Sequence, residues 1–230
     1  MSSSEFVIHP PPALATSEII EALQGAVTPH ISDSLQRVSG VVGLRRYHRS
    51  RKLVGTAFTV KTRPGDNLLI YKALTDMLPG HVLVVDGGAD TTNALVGELI
   101  MLYARKRGCA GFVLDAAIRD SAAFFEADFP CYARGSSHRG PYKVGPGAIN
   151  VPVSVGGQVI SPGDLVVGDE DGVVSFPATE ARRILDAASK IAANEARIQG
   201  RNRHRHTRAE LASPGACRAR IERIAVQYPM

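Results

Sequence analysis

The sequence predicts an α/β fold: one domain on a mixed β-sheet, with helices on both faces and hairpins at one end. Three observations predict it. His81–Asp86 reads HVLVVD and Gly111–Asp115 reads GFVLD, short apolar runs suited to buried strands, with a helical pattern between them. Downstream, apolar alternation is broken at Gly156-Gly157 and again at Asp169-Glu170-Asp171-Gly172, which are hairpin signals. From Ala178 to about Gln199, Ile184, Leu185, Ala188, Ile191 and Ala192 recur at helical spacing. Strand and helix in alternation, followed by hairpins, call for layers around a single sheet.

Each element has its own signals. Ser2–Ala15, with Pro10-Pro11-Pro12, is an extended lead-in. Ser17–Ala26 is a capped helix with Glu18 and Glu21 early, and Leu53–Thr62 alternates as a strand. The turn RPGDN opens a helix from Asn67 through Met77. After the His81 strand, Asp90, Thr91, Thr92 and Asn93 are helix-starting types and Arg105-Lys106-Arg107-Gly108 is a cationic stop, so a helix lies between Thr92 and Arg107. Gly97 inside that helix would cost about 1 kcal/mol relative to alanine. If the helix starts there instead, the N–H groups of Glu98, Leu99 and Ile100 form an anion-binding first turn; the plainer reading is a close backbone approach. Phe129–Ala133 is a short strand, and Arg134–Asn150 a glycine-rich loop.

Composition narrows the function classes. With 230 residues, 44% of them hydrophobic, the chain can bury a full core as one domain. No apolar run reaches membrane-span length and the N-terminus lacks a signal pattern, so a cytoplasmic protein without a membrane partner is expected. Cys109, Cys131 and Cys217 are odd in number and scattered, which predicts reduced thiols, the first two as core filler. The net charge of +5 comes from the tail: eight arginines from Arg197 onward against Glu210 and Glu222 give 8 − 2 = +6, leaving 5 − 6 = −1 for residues 1–196. The stretch RIQGRNRHRHTR has two readings, a phosphate-binding arm or a solvated terminal segment; with Tyr228 as its one aromatic and no RNA-binding signature the second is favoured, and nucleic acid is not the expected partner.

Asp66, Asp86, Asp90, Glu98, Asp115, Arg119 and Asp120 fall at element ends, where α/β sheets gather ligands. Carboxylates, one arginine and backbone donors predict a hard cation, Mg²⁺ or Mn²⁺. In such a site Arg119 would clamp a carboxylate or carbonyl oxygen and Asp120 would hold the cation.

The stretches GDN, VLVVDGGADTTNALVGEL, GFVLDAAIRD and the run from PCYARGSSHRGPYKV to GDEDGVVSFP resemble the family of the regulator of ribonuclease activity A and 4-hydroxy-4-methyl-2-oxoglutarate aldolase. Its most diagnostic element, an acid followed after twenty residues by Arg-Asp, is matched by Glu98 and Arg119-Asp120. The resemblance implies a single-domain α-β-β-α sandwich of the swivelling β/β/α type, with a mixed sheet and C-terminal hairpins. The resemblance covers roughly Ser17–Arg197, and with the residue signals it divides the chain into an extended lead-in over 1–16, the domain over 17–199 and a basic extension over 200–230. Gly97 through Ile100 match the turn that cradles pyruvate, Arg119 the arginine on the substrate oxygens, Asp120 the direct metal ligand and Asn67 a site asparagine. Glu98 stands where an acid holds metal-bound water, and Glu195 matches a glutamate brought by a neighbouring subunit. Trimers or hexamers are implied.

The activity implied is divalent-metal-dependent cleavage of 4-hydroxy-2-oxo acids to pyruvate, with oxaloacetate decarboxylation through the same enolate. A Schiff-base route would need a marked lysine, and Lys52, Lys61, Lys72, Lys106, Lys143 and Lys190 have no such context. The aldolases carry Asp where this chain has Glu98, and Glu occurs there in the regulator branch. That leaves a second reading, a non-catalytic protein that binds an RNA-processing ribonuclease. His138, in SSHRGPY, is either at the site mouth or an ordinary loop histidine.

Overall fold

The computed structural model describes residues 6–204, with side chains through 199. Two units divide the chain, Met1–Ser189 and Lys190–Met230, the boundary falling inside the last helix; the basic extension beyond residue 204, with Cys217 and Tyr228, lies outside the described residues. No described helix is long and apolar enough to cross a membrane.

The first unit has the expected α/β class, a mixed sheet of nine strands with helices. Its centre is four parallel strands in sequence order, β3 (Leu53–Thr62), β4 (His81–Val96), β5 (Gly111–Ile118) and β6 (Cys131–Ser136). The crossovers between them are α3 (Leu68–Asp76), α4 (Glu98–Lys106) and α5 (Ser121–Ala127). All three helices lie on one face, where Leu69, Ile70, Met101 and Phe124 pack with Phe58, Leu83, Val85, Phe112 and Leu114 in one buried cluster. Central strands covered on both faces lose the half-polar alternation of an exposed sheet. Hence β3, expected to alternate, buries nine of its ten residues, all but Lys61.

The second face of these strands is not covered by helices, as expected from sequence, but by a hairpin. β8 (Val153–Val155) and β9 (Gln158–Ile160) turn at Gly156-Gly157 and bury Val153, Val155 and Ile160 against Ala57, Val82, Val84 and Val113. A second hairpin, β10 (Leu165–Gly168) with β11 (Val173–Phe176), turns at Asp169–Gly172 and joins the outer edge of β3 through β10. The remaining helices of this unit pack there: α1 (Ser17–Gly25), α2 (Thr28–Ser34) and the start of α6 (Ala181–His204) place Leu23, Ile31, Ile184 and Ala188 against Leu165, Val167 and Phe176.

The outer edge of β3 has two partners, β10 along its first half and β7 (Gly147–Ile149) along its last residues. β7 lies inside the stretch expected to be loop. β1 (Val7–Ile8) pairs beside it, so the expected lead-in is extended and docked. His9 N–H donates to Ile149 O (3.1 Å), and Asn150 Nδ2 donates to the carbonyls of His9 and Pro10. Buried His81 adds a further tie, donating through Nε2 to Pro12 O (3.2 Å) while its Nδ1 accepts the Leu78 N–H (3.0 Å). At the opposite edge, β2 (Arg45–Arg46) pairs antiparallel with β6.

Three boundaries differ from the sequence expectation. The helix expected from Thr92 begins at Glu98, because β4 continues to Val96 through irregular pairings of Asp90, Ala94 and Val96 with β5. The Asp90 carboxylate accepts from Thr92 N and Oγ1, a local turn that uses a capping residue type without starting a helix. β5 runs past Asp115 to Ile118, and β6 starts at Cys131 rather than Phe129, after Pro130. Cys109 and Cys131 are buried free thiols, and burial pushes Cys109 up to about 12, as core filler requires.

Candidate active site

Val96 and Ile118 end their strands as paired neighbours, so Gly97 and Arg119 leave the sheet side by side. Gly97 is the N-cap of α4 in extended backbone, which any residue can adopt; what demands glycine is space. A Cβ there would lie 2.5 Å from Asp120 Oδ2 and 2.9 Å from Arg119 Cγ. Asp120 holds a left-handed conformation (φ 54°, ψ 40°) at the N-cap of α5, a costly one for a residue with a side chain, and makes no capping bond to α5. Its Oδ2 instead accepts the Glu98 N–H (3.1 Å) and lies 3.5 Å from Arg119 Nε.

The first turn of α4 is thereby divided. Glu98 gives its N–H to Asp120, while those of Leu99 and Ile100 have no acceptor among the described residues and sit at the positive end of the helix. Asn67 stands at the N-cap of α3, almost wholly buried, and donates through Nδ2 to Leu95 O (2.8 Å); its Oδ1 is buried without a partner. Arg119 N–H donates to Val96 O (2.9 Å), fixing the turn that bears it.

Two cavities meet at Arg119. The smaller, about 290 Å³, is lined by Asn67, Tyr71, Gly97, Leu99, Ile100 and Lys143 among others; Arg119 and Lys143 are its charged residues, and no carboxylate lines it. Lys143 Nζ lies 5.0 Å from the centre of the Tyr71 ring, over its face. The larger, about 520 Å³, is lined by Arg119, Asp120, Ser121, Ser136, Ser137 and His138. Sequence reasoning noted Lys143 only in weighing a Schiff base; its place beside Arg119 depends on the loop after β6, for which the sequence carries no periodic signal.

Of the residues singled out from sequence, Gly97, Leu99, Ile100, Asn67 and Arg119 line the smaller cavity, and Arg119, Asp120 and His138 the larger. The Glu98 residue lines neither and meets Asp120 through its backbone. Glu195 is exposed on α6, in the second unit. Four other acids serve the fold. Asp66 accepts from Leu68, Val144 and Gly145 N–H groups, Asp86 from Gly88 and Ser154, and Asp90 from Thr92. Asp115 pairs with Arg134 and accepts the Gly156 N–H, tying the β8–β9 hairpin to the sheet.

No group of three His, Cys, Asp or Glu side chains fit to enclose a metal occurs among the described residues. The donor set still suits one kind of ion. A lone half-exposed carboxylate, with Oδ2 already accepting a hydrogen bond, fits a hard dication that keeps water and substrate oxygens as its other ligands.

Comparisons with known proteins bear on the family and the fold. The family model described as RraA-like, Aldolase/RraA, matches residues 28–175. A relative from Halalkalibacterium halodurans, provisionally named a 4-hydroxy-4-methyl-2-oxoglutarate aldolase, is 38% identical over 182 residues, covering 79% of this chain and 87% of its own. Among solved structures, Streptomyces coelicolor RraAS2, described as an unusual member of the RNase ES inhibitor RraA family, superposes with a TM-score of 0.76 at 28% identity, covering 82% of this chain and 99% of its own. The RNA-processing inhibitor RraA from Thermus thermophilis gives 0.61 at 30% identity, over 66% of this chain and 93% of its own.

Proposed function

Because the chain belongs to the Aldolase/RraA family, we propose that it is a divalent-metal-dependent pyruvate aldolase. Its substrates are 4-hydroxy-2-oxo acids of the 4-hydroxy-4-methyl-2-oxoglutarate type, and it decarboxylates oxaloacetate through the same enolate. The name of the relative at 38% identity supports the reaction class. The observation that carries the reading is the position of Arg119, shared between a cavity of cations and free N–H groups and one that holds Asp120.

The smaller cavity takes the 2-oxo acid half. Its carboxylate meets the free N–H groups of Leu99 and Ile100 and the Lys143 ammonium, and the keto oxygen faces the Arg119 guanidinium. Cleavage between C3 and C4 leaves negative charge on that oxygen, where a fixed guanidinium stabilises it more in the transition state than in the ground state. Asp120 would hold Mg²⁺ or Mn²⁺, which when bound supplies Lewis-acid polarisation of the keto group. Glu98, joined to Asp120 through its backbone N–H, would hold the water that takes the C4 hydroxyl proton as C4 becomes a carbonyl and returns a proton to C3 of the enolate. The alternative, a non-catalytic regulator of an RNA-processing ribonuclease, is favoured by the names of the two solved relatives and by Glu98 lining neither cavity.

Pyruvate release coupled to lactate dehydrogenase decides between them. The expected result is turnover of 4-hydroxy-4-methyl-2-oxoglutarate and oxaloacetate that EDTA abolishes and Mg²⁺ or Mn²⁺ restores. Full activity in EDTA removes the metal, and silence on both substrates with both metals, joined to retention on an immobilised ribonuclease, establishes the regulator.

A further inference from the structure

The larger cavity differs from the smaller in chemistry as well as in size. Its six lining residues, Arg119, Asp120, Ser121, Ser136, Ser137 and His138, are all charged, hydroxyl-bearing or imidazole, whereas the smaller includes Leu95, Val96, Leu99 and Ile100. An alkyl or aryl group placed there would strip water from polar side chains and return no hydrogen bonds. The ring nitrogens of His138 and the hydroxyls of Ser121 and Ser136 have no hydrogen-bond partner among the described residues, so they are available to a ligand.

His138 is also held in place from both sides. Ser137 N–H donates to Ile118 O (2.9 Å) and Ser137 Oγ donates to Thr92 O (2.8 Å). On the other flank, Arg139 O accepts the Ala94 N–H (2.9 Å), Asn93 Nδ2 donates to Gly140 O (2.5 Å), and a Cβ at Gly140 would stand 3.4 Å from an Arg119 terminal nitrogen. The segment is stitched to the extension of β4, and the imidazole is carried on fixed backbone beside the guanidinium. Such pre-organisation is what a recognition residue needs.

A 4-hydroxy-2-oxo acid has two halves, and the second half must lie within reach of Arg119 without occupying the smaller cavity. We infer that the larger cavity takes this departing half and that His138 is its specificity-determining residue, selecting a carboxylate by hydrogen bonding with help from Arg119 and the Ser136 hydroxyl. The inference rests on the aldolase reading for the identity of the two halves. Asp120 would oppose an anion in this cavity unless its charge is engaged, as it is in part by the Glu98 N–H and Arg119.

Binding and turnover test it separately. Titration calorimetry with 2-oxoglutarate and 2-oxopentanoate, equal in length and differing in the terminal carboxylate, reads the larger cavity without any reaction. The full chain should bind 2-oxoglutarate about tenfold more tightly, and His138→Ala should bring the two within about twofold of each other, as expected for one carboxylate contact. His138→Gln, which keeps a hydrogen-bond donor, should recover part of the preference. In turnover, the kcat/KM ratio of 4-hydroxy-4-methyl-2-oxoglutarate to 4-hydroxy-2-oxopentanoate should fall by about the same factor in His138→Ala, mainly through KM. A purely structural role would weaken both compounds alike and leave the ratios where they were. Equal binding of the two acids by the unmodified chain, or ratios that His138→Ala does not move, overturns the assignment. A preference that shifts in calorimetry while no substrate yields pyruvate upholds His138 as the selector and overturns the aldolase reading instead.

Discussion

A methyl group added at residue 97 would arrive 2.5 Å from an oxygen of Asp120 and 3.0 Å from Arg119 Nε, so the smallest side chain is a requirement of the two charged residues opposite. Gly97→Ala is accordingly expected to displace both. Overpacking of this kind costs about 1–3 kcal/mol of stability, and a displacement near 1 Å at reacting groups costs about a hundredfold in rate. A thermal melt with pyruvate-release kinetics checks it: a folded variant with a modestly lower Tm and kcat/KM down by about two orders of magnitude is the outcome. Unchanged kinetics would mean that Arg119 and Asp120 can shift without consequence. An oddly placed glycine was visible in the sequence as a possible helix start, and the structure bears that out. What fills the space opposite was not, since Asp120 lies 22 residues from Glu98 and only pairing of β4 with β5 brings them together.

At the scale of elements, the chain discloses what is periodic and conceals what depends on a distant partner. The parallel strands, α1, α3, both hairpins and α6 were legible because their apolar spacing is repeated and their ends carry turn residues. α2 was not: its first N–H and the Thr28 hydroxyl are both held by Asp169, 141 residues away. α5 follows a left-handed Asp120 and β7 is three residues long, so neither has a start signal or a period to read. The N-terminal segment is another long-range case, and its tie at His81 makes it pH-sensitive. Burial holds His81 below the usual imidazole value against the opposing effect of the Pro12 carbonyl bond; burial likewise lowers His48, whose Nδ1 accepts the Cys131 N–H. Each is neutral in the fold, while in the unfolded chain each titrates near its ordinary value of about 6.5. Above that pH neither contributes a dependence. As pH falls through about 6.5 toward the lower folded values, the unfolded state binds more protons and stability drops, by at most about 1.4 kcal/mol per pH unit for each histidine. Urea unfolding between pH 8 and 5 should show this slope, and it should lessen in His81→Leu even though that variant is less stable throughout. A slope identical in the variant would assign the dependence elsewhere.

For the whole molecule, the outstanding surface is that of α4. Leu99 is 77% exposed while lining the smaller cavity, and Leu102 and Tyr103 are 46% and 43% exposed on the same helix. We propose that this stripe is covered in a homo-oligomer whose neighbouring chain brings Glu195, as the family resemblance implies. Glu195→Ala and Arg119→Ala should each be nearly inactive, and unfolding and refolding them together should recover part of the activity, because some mixed interfaces lack neither residue. Mixed oligomers verified by native mass spectrometry that remain as inactive as their parents would exclude sharing between subunits, and a fully active Glu195→Ala would exclude that residue. The two cavities at Arg119 have a consequence on a longer timescale. Gly97–Ile100 and Ser136–His138 are separate stretches of chain, joined in their task by one arginine, so mutation can rewrite either while inheritance preserves the other. On the proposed division of labour, a lineage built on this plan would change its diet through residues 136 and 138 alone, since Gly140 and Lys143 two and five residues on already belong to the cavity where the bond is broken.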